Sequence, residues 1–133
     1  MATLLVNTGR AIVTSRINGS GTTPSYVAWG TGAGTTAIGD VTLFSEVNGA
    51  GAASGTRVTG TSTQQTTTVT NDTYQVVGTV SASTALTITN AGLFDTATFT
   101  SGAGPTLFIK GDFTGIALNS GDSIQFTIKA QFS

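Results

Sequence analysis

Polar and apolar residues alternate along the last stretch of the chain. Ile124, Phe126, Ile128, Ala130 and Phe132 fall on one side, and Ser123, Gln125, Thr127, Lys129 and Gln131 on the other. A period of two predicts a strand with one buried face. Tyr74, Val76 and Val80 alternate with Gln75 and Thr79 in the same manner. Just before them, Asn71 and Asp72 predict a two-residue turn from a Thr-rich strand over 63–70, so this region reads as a hairpin. Further strands are predicted over Tyr26–Trp29, Arg57–Thr61, Leu86–Phe94 and Leu107–Phe113. Between them lie Gly32 to Gly34, Ser101 to Pro105 and Asn119 to Asp122, which are rich in turn formers. About eight short strands at this spacing predict an all-β fold, an antiparallel β-sandwich or jelly roll.

The first nineteen residues have a different character. Leu4, Leu5, Ile12, Val13 and Ile17 fall roughly on one helical face, with Asn7 or Thr8 placed as an N-cap and Gly19 as a stop. Ala11, Val13, Ser15 and Ile17 also alternate with polar partners, so the same stretch fits a β-segment. The predicted organisation is an N-terminal arm or short helix over 1–19 and a β-sandwich domain over 20–133. A chain of 133 residues has room for one such core and no second one.

Composition narrows the chemistry. The chain carries five Lys and Arg, six Asp and Glu, and neither His nor Cys. The usual general base, metal ligand and activated nucleophile are therefore missing, and the remaining carboxylates are scattered singly, which argues against an enzyme and against a bound cofactor. Arg10, Arg16, Arg57, Lys110 and Lys129 are spread along a chain of net charge −1, so no basic stripe is available for nucleic acid. Met1 to Val6 lacks the charged region of a signal peptide, and no apolar run approaches the length of a membrane span. A soluble, unsecreted protein with no membrane contact is expected.

Several local patterns invite a functional reading. Gly32, Gly34 and Ala37 match G-x-G-x-x-A, but Ile38 to Thr42 is turn-like and no helix is predicted to face a pyrophosphate, so the string reads as a glycine loop. Asp112 and Asp122 flank one predicted turn, and Asp40 and Glu46 another. Neither stretch has the dense oxygen ligands of a calcium loop, and Asp beside Gly more often forms an Asx-turn. The sequons at Asn18 and Asn71 also read as turns. Tyr26 and Trp29 stand an odd number of positions apart, so in a strand they point to opposite faces and form no common stacking platform. Threonine suits strands because it is β-branched. Strand faces rich in Thr and poor in charge can also pack against protein without burying ions, and Thr66, Thr67, Thr68 and Thr70 mark the 57–80 region as such a contact.

Leu4 to Val13, the segment Tyr26 to Ala37 leading to Gly39-Asp40 and to Leu43 through Glu46, Ile88 to Asp95, Lys110 to Phe113, and Gly121-Asp122 together resemble a family of small tailed-bacteriophage structural proteins. The likeness covers nearly the whole chain and rests on the set W-G-T-G, T-x-x-G-D and T-x-A-G-L-F. It implies a virion component with a β-sandwich body, a capsid decoration or cement protein. Such a protein is made in the host cytoplasm and sits, as a homotrimer, on the outside of the shell against the major capsid protein. Within that reading Leu4, Leu5, Val6, Arg10 and Arg16 are expected to contact the capsid or a neighbouring copy, as are Thr66, Thr67 and Thr68. The alternative is a tail or fibre module that binds host glycan or receptor through loops around Trp29.

Overall fold

The alternating C-terminal run forms a strand, and its partner is the other strongly alternating segment. In the computed structural model, which describes residues 2–49, 54–99 and 106–133, the chain folds as an antiparallel β-sandwich of eight strands with one helix. In order these are β1 (Thr3–Leu5), α1 (Asn7–Ile17), β2 (Tyr26–Gly30), β3 (Val58–Thr59), β4 (Thr61–Gln65), β5 (Thr73–Ser81), β6 (Leu86–Phe94), β7 (Leu107–Leu118) and β8 (Ser123–Gln131). One sheet has the order β1-β7-β6-β2-β3 and the other β4-β5-β8. β3 and β4 follow one another almost directly, so the chain crosses between sheets at Gly60.

The main core lies between the sheets. Val27 and Trp29 of β2, Val76 and Val80 of β5, Ile88 and Leu93 of β6, and Phe108 of β7 are buried there. Phe126 of β8 reaches in to meet Trp29 edge-on at 6.4 Å between ring centroids. A second cluster of Val6, Ala28, Leu43, Phe94 and Leu107, with Tyr26 packed against it, forms a separate apolar layer. Tyr26 and Trp29 thus serve different layers, as their odd spacing requires.

The N-terminal segment departs from its expected form. Leu4 and Leu5 belong to a strand that pairs with β7, Leu4 opposite Lys110. The helix then begins after Val6, which is extended at φ −76° and ψ 168° and gives no side-chain cap. Asn7 and Thr8 therefore lie within the first turn, and the Thr8 hydroxyl donates to the Leu107 carbonyl at 2.6 Å. Ala11 to Ile17 are helical, so the β reading of that stretch does not hold. Gly19, at φ +78°, ends the helix in the left-handed conformation that glycine tolerates. A Cβ on Gly9 would run into the Phe108 backbone carbonyl, so this glycine lets α1 lie against β7.

Three further boundaries differ. The connection from β4 to β5 is a loop over 66–72 rather than a two-residue turn, because Gln65 is the last residue paired and faces Thr73. β7 continues to Leu118, with a register irregularity opposite Thr89, so Asp112 lies within a strand and only Asp122 belongs to the following turn. Phe132 falls beyond β8 and is half exposed, so the buried row of that strand ends at Ala130. The predicted loop over 101–105 lies outside the described residues.

Candidate interaction surface

Most of the charged side chains are used inside the molecule. Lys110 is fully buried on β7, where its ammonium donates to Asp40 Oδ2 and to the Thr42 carbonyl, both at 2.9 Å, and lies 3.2 Å from the centre of the Phe44 ring. Burial raises the Asp40 carboxyl, but the Lys110 ammonium and the Ala37 N–H outweigh it and hold the group below its usual value. Arg57 grips Glu46 with two bonds, at 2.8 and 3.2 Å, donates to the Thr96 and Thr98 carbonyls, and stacks over Phe94 at 3.7 Å. Between these ion pairs, buried Asn90 of β6 accepts from the Phe44 N–H and donates to the Phe44 carbonyl. The Thr36 N–H donates to Asp112 at 2.8 Å, and the Thr89 hydroxyl donates to the Gly32 carbonyl.

These contacts pin the segment 31–47 onto the five-stranded sheet. Gly34 passes so near the Phe44 ring that a Cβ would not fit. The glycine string at 32–37 is therefore a packed cover with no helix after it, and the acids flanking it belong to ion pairs. Among the described residues no three Asp or Glu converge on one point. Asp40, Phe44, Glu46, Asn90, Lys110 and Asp112 share the task of holding this cover in place.

With those charges turned inward, the outer face of β4-β5-β8 is polar and almost free of ions. Thr61, Thr63 and Gln65 of β4 lie beside Val77, Gln75 and Thr73 of β5. On the other side of β5, Thr79, Val77 and Gln75 lie beside Gln125, Thr127 and Lys129 of β8. β4 is exposed along its whole length, and every second residue of β8 is exposed. Lys129 is the single charge in these rows.

The residues singled out from sequence fall in three places. Val6 is fully buried and Leu5 packs against the core, so only Leu4 of that apolar triplet presents much surface, at 36%. The sequence predicts an N-terminal arm or short helix for Leu4, Leu5 and Val6. They are instead drawn in because β7 offers an edge and the second apolar layer a socket. Arg10 is exposed on α1. The Arg16 guanidinium donates to the Gly21 carbonyl at 2.8 Å, tying down the loop after the helix. Thr66, Thr67 and Thr68 are exposed in the β4–β5 loop and not on a strand. The Asp72 carboxylate organises that loop by accepting from the N–H groups of Val69, Thr67 and Thr68, which hold it far below the usual carboxylate range.

Arg16 and Thr68 are brought to the same end of the sandwich. Arg16 lines an apolar groove of about 230 Å³ with Ile12, Ile17, Pro24 and Phe132, and Thr68 accepts from the neighbouring Gln131 side chain. Leu4 stands apart from them, on the β1 edge. Trp29, the anchor of the glycan reading, has no exposed surface. The outer rows of β4 and β5 lie within the 57–80 region expected from sequence to make a protein contact, and β8 adds a third row to them.

No protein-family model, no curated protein and no solved structure matches this chain. No helix among the described residues is long and apolar enough to cross a membrane.

Proposed function

We propose that the chain is a structural protein of a tailed-bacteriophage virion that binds the outer capsid surface across capsomer junctions and stabilises the shell. The observation that carries this reading is the outer face of β4-β5-β8, an array of Thr, Ser and Gln side chains with one valine, Val77, and one lysine, Lys129. Covering such a face with protein requires no ion to be desolvated, and hydroxyls and amides keep hydrogen bonds across the contact. The resemblance supplies the partner, the major capsid protein, and the homotrimeric state. The clamped cover over 31–47 supports it, since the segments that carry the resemblance supply its contacts and their role is architectural. Action is by mass action on the assembled state, without bond-making chemistry.

Co-sedimentation tests this. Purified protein added to capsid shells that lack it should pellet with the shells at a fixed ratio and should leave unassembled capsid subunits unbound. Lysines introduced at Thr63 and Thr79, on the outer face, should weaken binding without unfolding the protein. Binding that ignores these substitutions, or that is equal for free subunits, would sink the proposal.

A further inference from the structure

β8 is a long sheet edge whose one usual protection is a single lysine, Lys129. Its nine residues bond along one side to β5, and among the described residues no other strand or loop backbone bonds to it. Proteins commonly blunt such edges by shortness, charged side chains, proline, bulges or a covering segment. β8 has no proline and no register shift against β5, and its one charge, Lys129, points outward. The other edges differ: β3 has two residues, β1 has three, β4 has five that are exposed on both faces, and the part of β7 beyond β1 is interrupted by the register shift opposite Thr89. On the inner face of β8, Ile124, Phe126 and Ile128 pack against the core yet remain only partly buried. The sandwich is left open along this flank.

We propose that β8 pairs with β8 of a second copy of the chain, antiparallel about a two-fold axis at Thr127, so that the two small sheets become one. The residue pattern is self-complementary about that point. Pairing centred there sets Phe126 against Ile128, Ile124 against Ala130, Ser123 against Gln131 and Lys129 against Gln125. All nine positions overlap, and the apolar residues of both copies stay on the core side, because a shift by an even number preserves the faces. Centring on Lys129 instead would oppose two like charges. The match is written into one sequence on both sides of the axis, which selects a second copy over a foreign strand, and an isologous contact of this kind closes on itself. This contact concerns the protein alone in solution, whereas the homotrimer proposed above forms on the shell, so the free and the shell-bound assemblies are distinct.

The chain contains no cysteine, so an introduced one reports its own surroundings. Directly opposed residues in an antiparallel pair have Cα atoms about 4.5–5.5 Å apart, within disulfide range. Under mild oxidation T127C should therefore crosslink rapidly to a covalent dimer. S123C and Q131C, each about 27 Å from its own counterpart in this register, should not. All three positions are exposed, so the fold should survive, as circular dichroism would check. Light scattering on the unmodified protein should give an even number of protomers. Q125K, which creates two like-charge oppositions with Lys129, should weaken association about tenfold, while Q125E should not. Equal crosslinking at the three positions, a monomeric or odd-numbered assembly, or equal effects of Q125K and Q125E would overturn the proposal.

Discussion

At the scale of single residues, the buried cation on β7 is the most consequential group. Lys110 is 1% exposed in its side chain and Asp40 is 21% exposed, so the two ends of this ion pair differ in what they lose when separated. Removing Asp40 leaves an ammonium under the cover with one carbonyl and one ring face for company. D40A should destabilise the fold by about 3 to 5 kcal/mol in denaturant titration. K110M keeps the stem and leaves a carboxylate that water can reach, and is expected to lose less. The reverse order would mean that the ammonium is solvated in solution. Phe126 offers a second test, because it touches Trp29 and Phe113 while Gln125 beside it faces outward. F126A should cost about 3 kcal/mol and Q125A under about 0.5, and equal losses would mean that the faces of β8 are reversed.

Elements carry the next set of consequences. The loop over 66–72 has no apolar anchor among its exposed threonines and depends on Asp72. A carboxylate whose folded pKa is depressed contributes stability that is fully present above its unfolded value, here 3.8, and is lost as pH falls through the folded one. The amide resonances of Thr67, Thr68 and Val69 should therefore hold steady down to about pH 4 and move only in stronger acid, while D72N should abolish that titration. Movement centred near pH 4 would show that the amides do not grip the carboxylate. At the helix, G9A should destabilise by about 1 to 3 kcal/mol because a methyl there meets the β7 backbone, whereas G39A, which meets nothing within 4 Å, should not suffer that clash.

The same elements show what the sequence reveals and why the rest stays hidden. β5 and β8 are legible because each buries one face and so alternates over much of its length, while β6 alternates only over its first residues and is buried on both faces from Asn90 on. The end of α1 is legible from Gly19. β1 is not, since three residues are too few to show a period, and their strand state is imposed by the edge of β7. The 66–72 loop is read as strand because threonine favours both strand geometry and side-chain capping of loops. Lys110 and Asp40 lie seventy positions apart, and Arg57 and Glu46 eleven, so only the fold joins them. A signal did exist: in a chain with few charges, a lysine directly after Leu107, Phe108 and Ile109 sits in a strand and must find a partner.

For the whole molecule, the placement of charge is the organising feature. Ion pairs and loop caps absorb Asp40, Glu46, Arg57, Asp72, Lys110, Asp112 and Asp122, and the small sheet is left nearly ion-free on its outer side. A surface of this kind suits covering another protein. The most direct measurement of the central claim is the temperature at which capsid shells lacking this protein come apart, followed as the protein is added. Binding to the assembled state alone predicts a rise that grows logarithmically with concentration once the sites are filled, as mass action requires. A disassembly temperature that stays unchanged at every protein concentration would contradict the account.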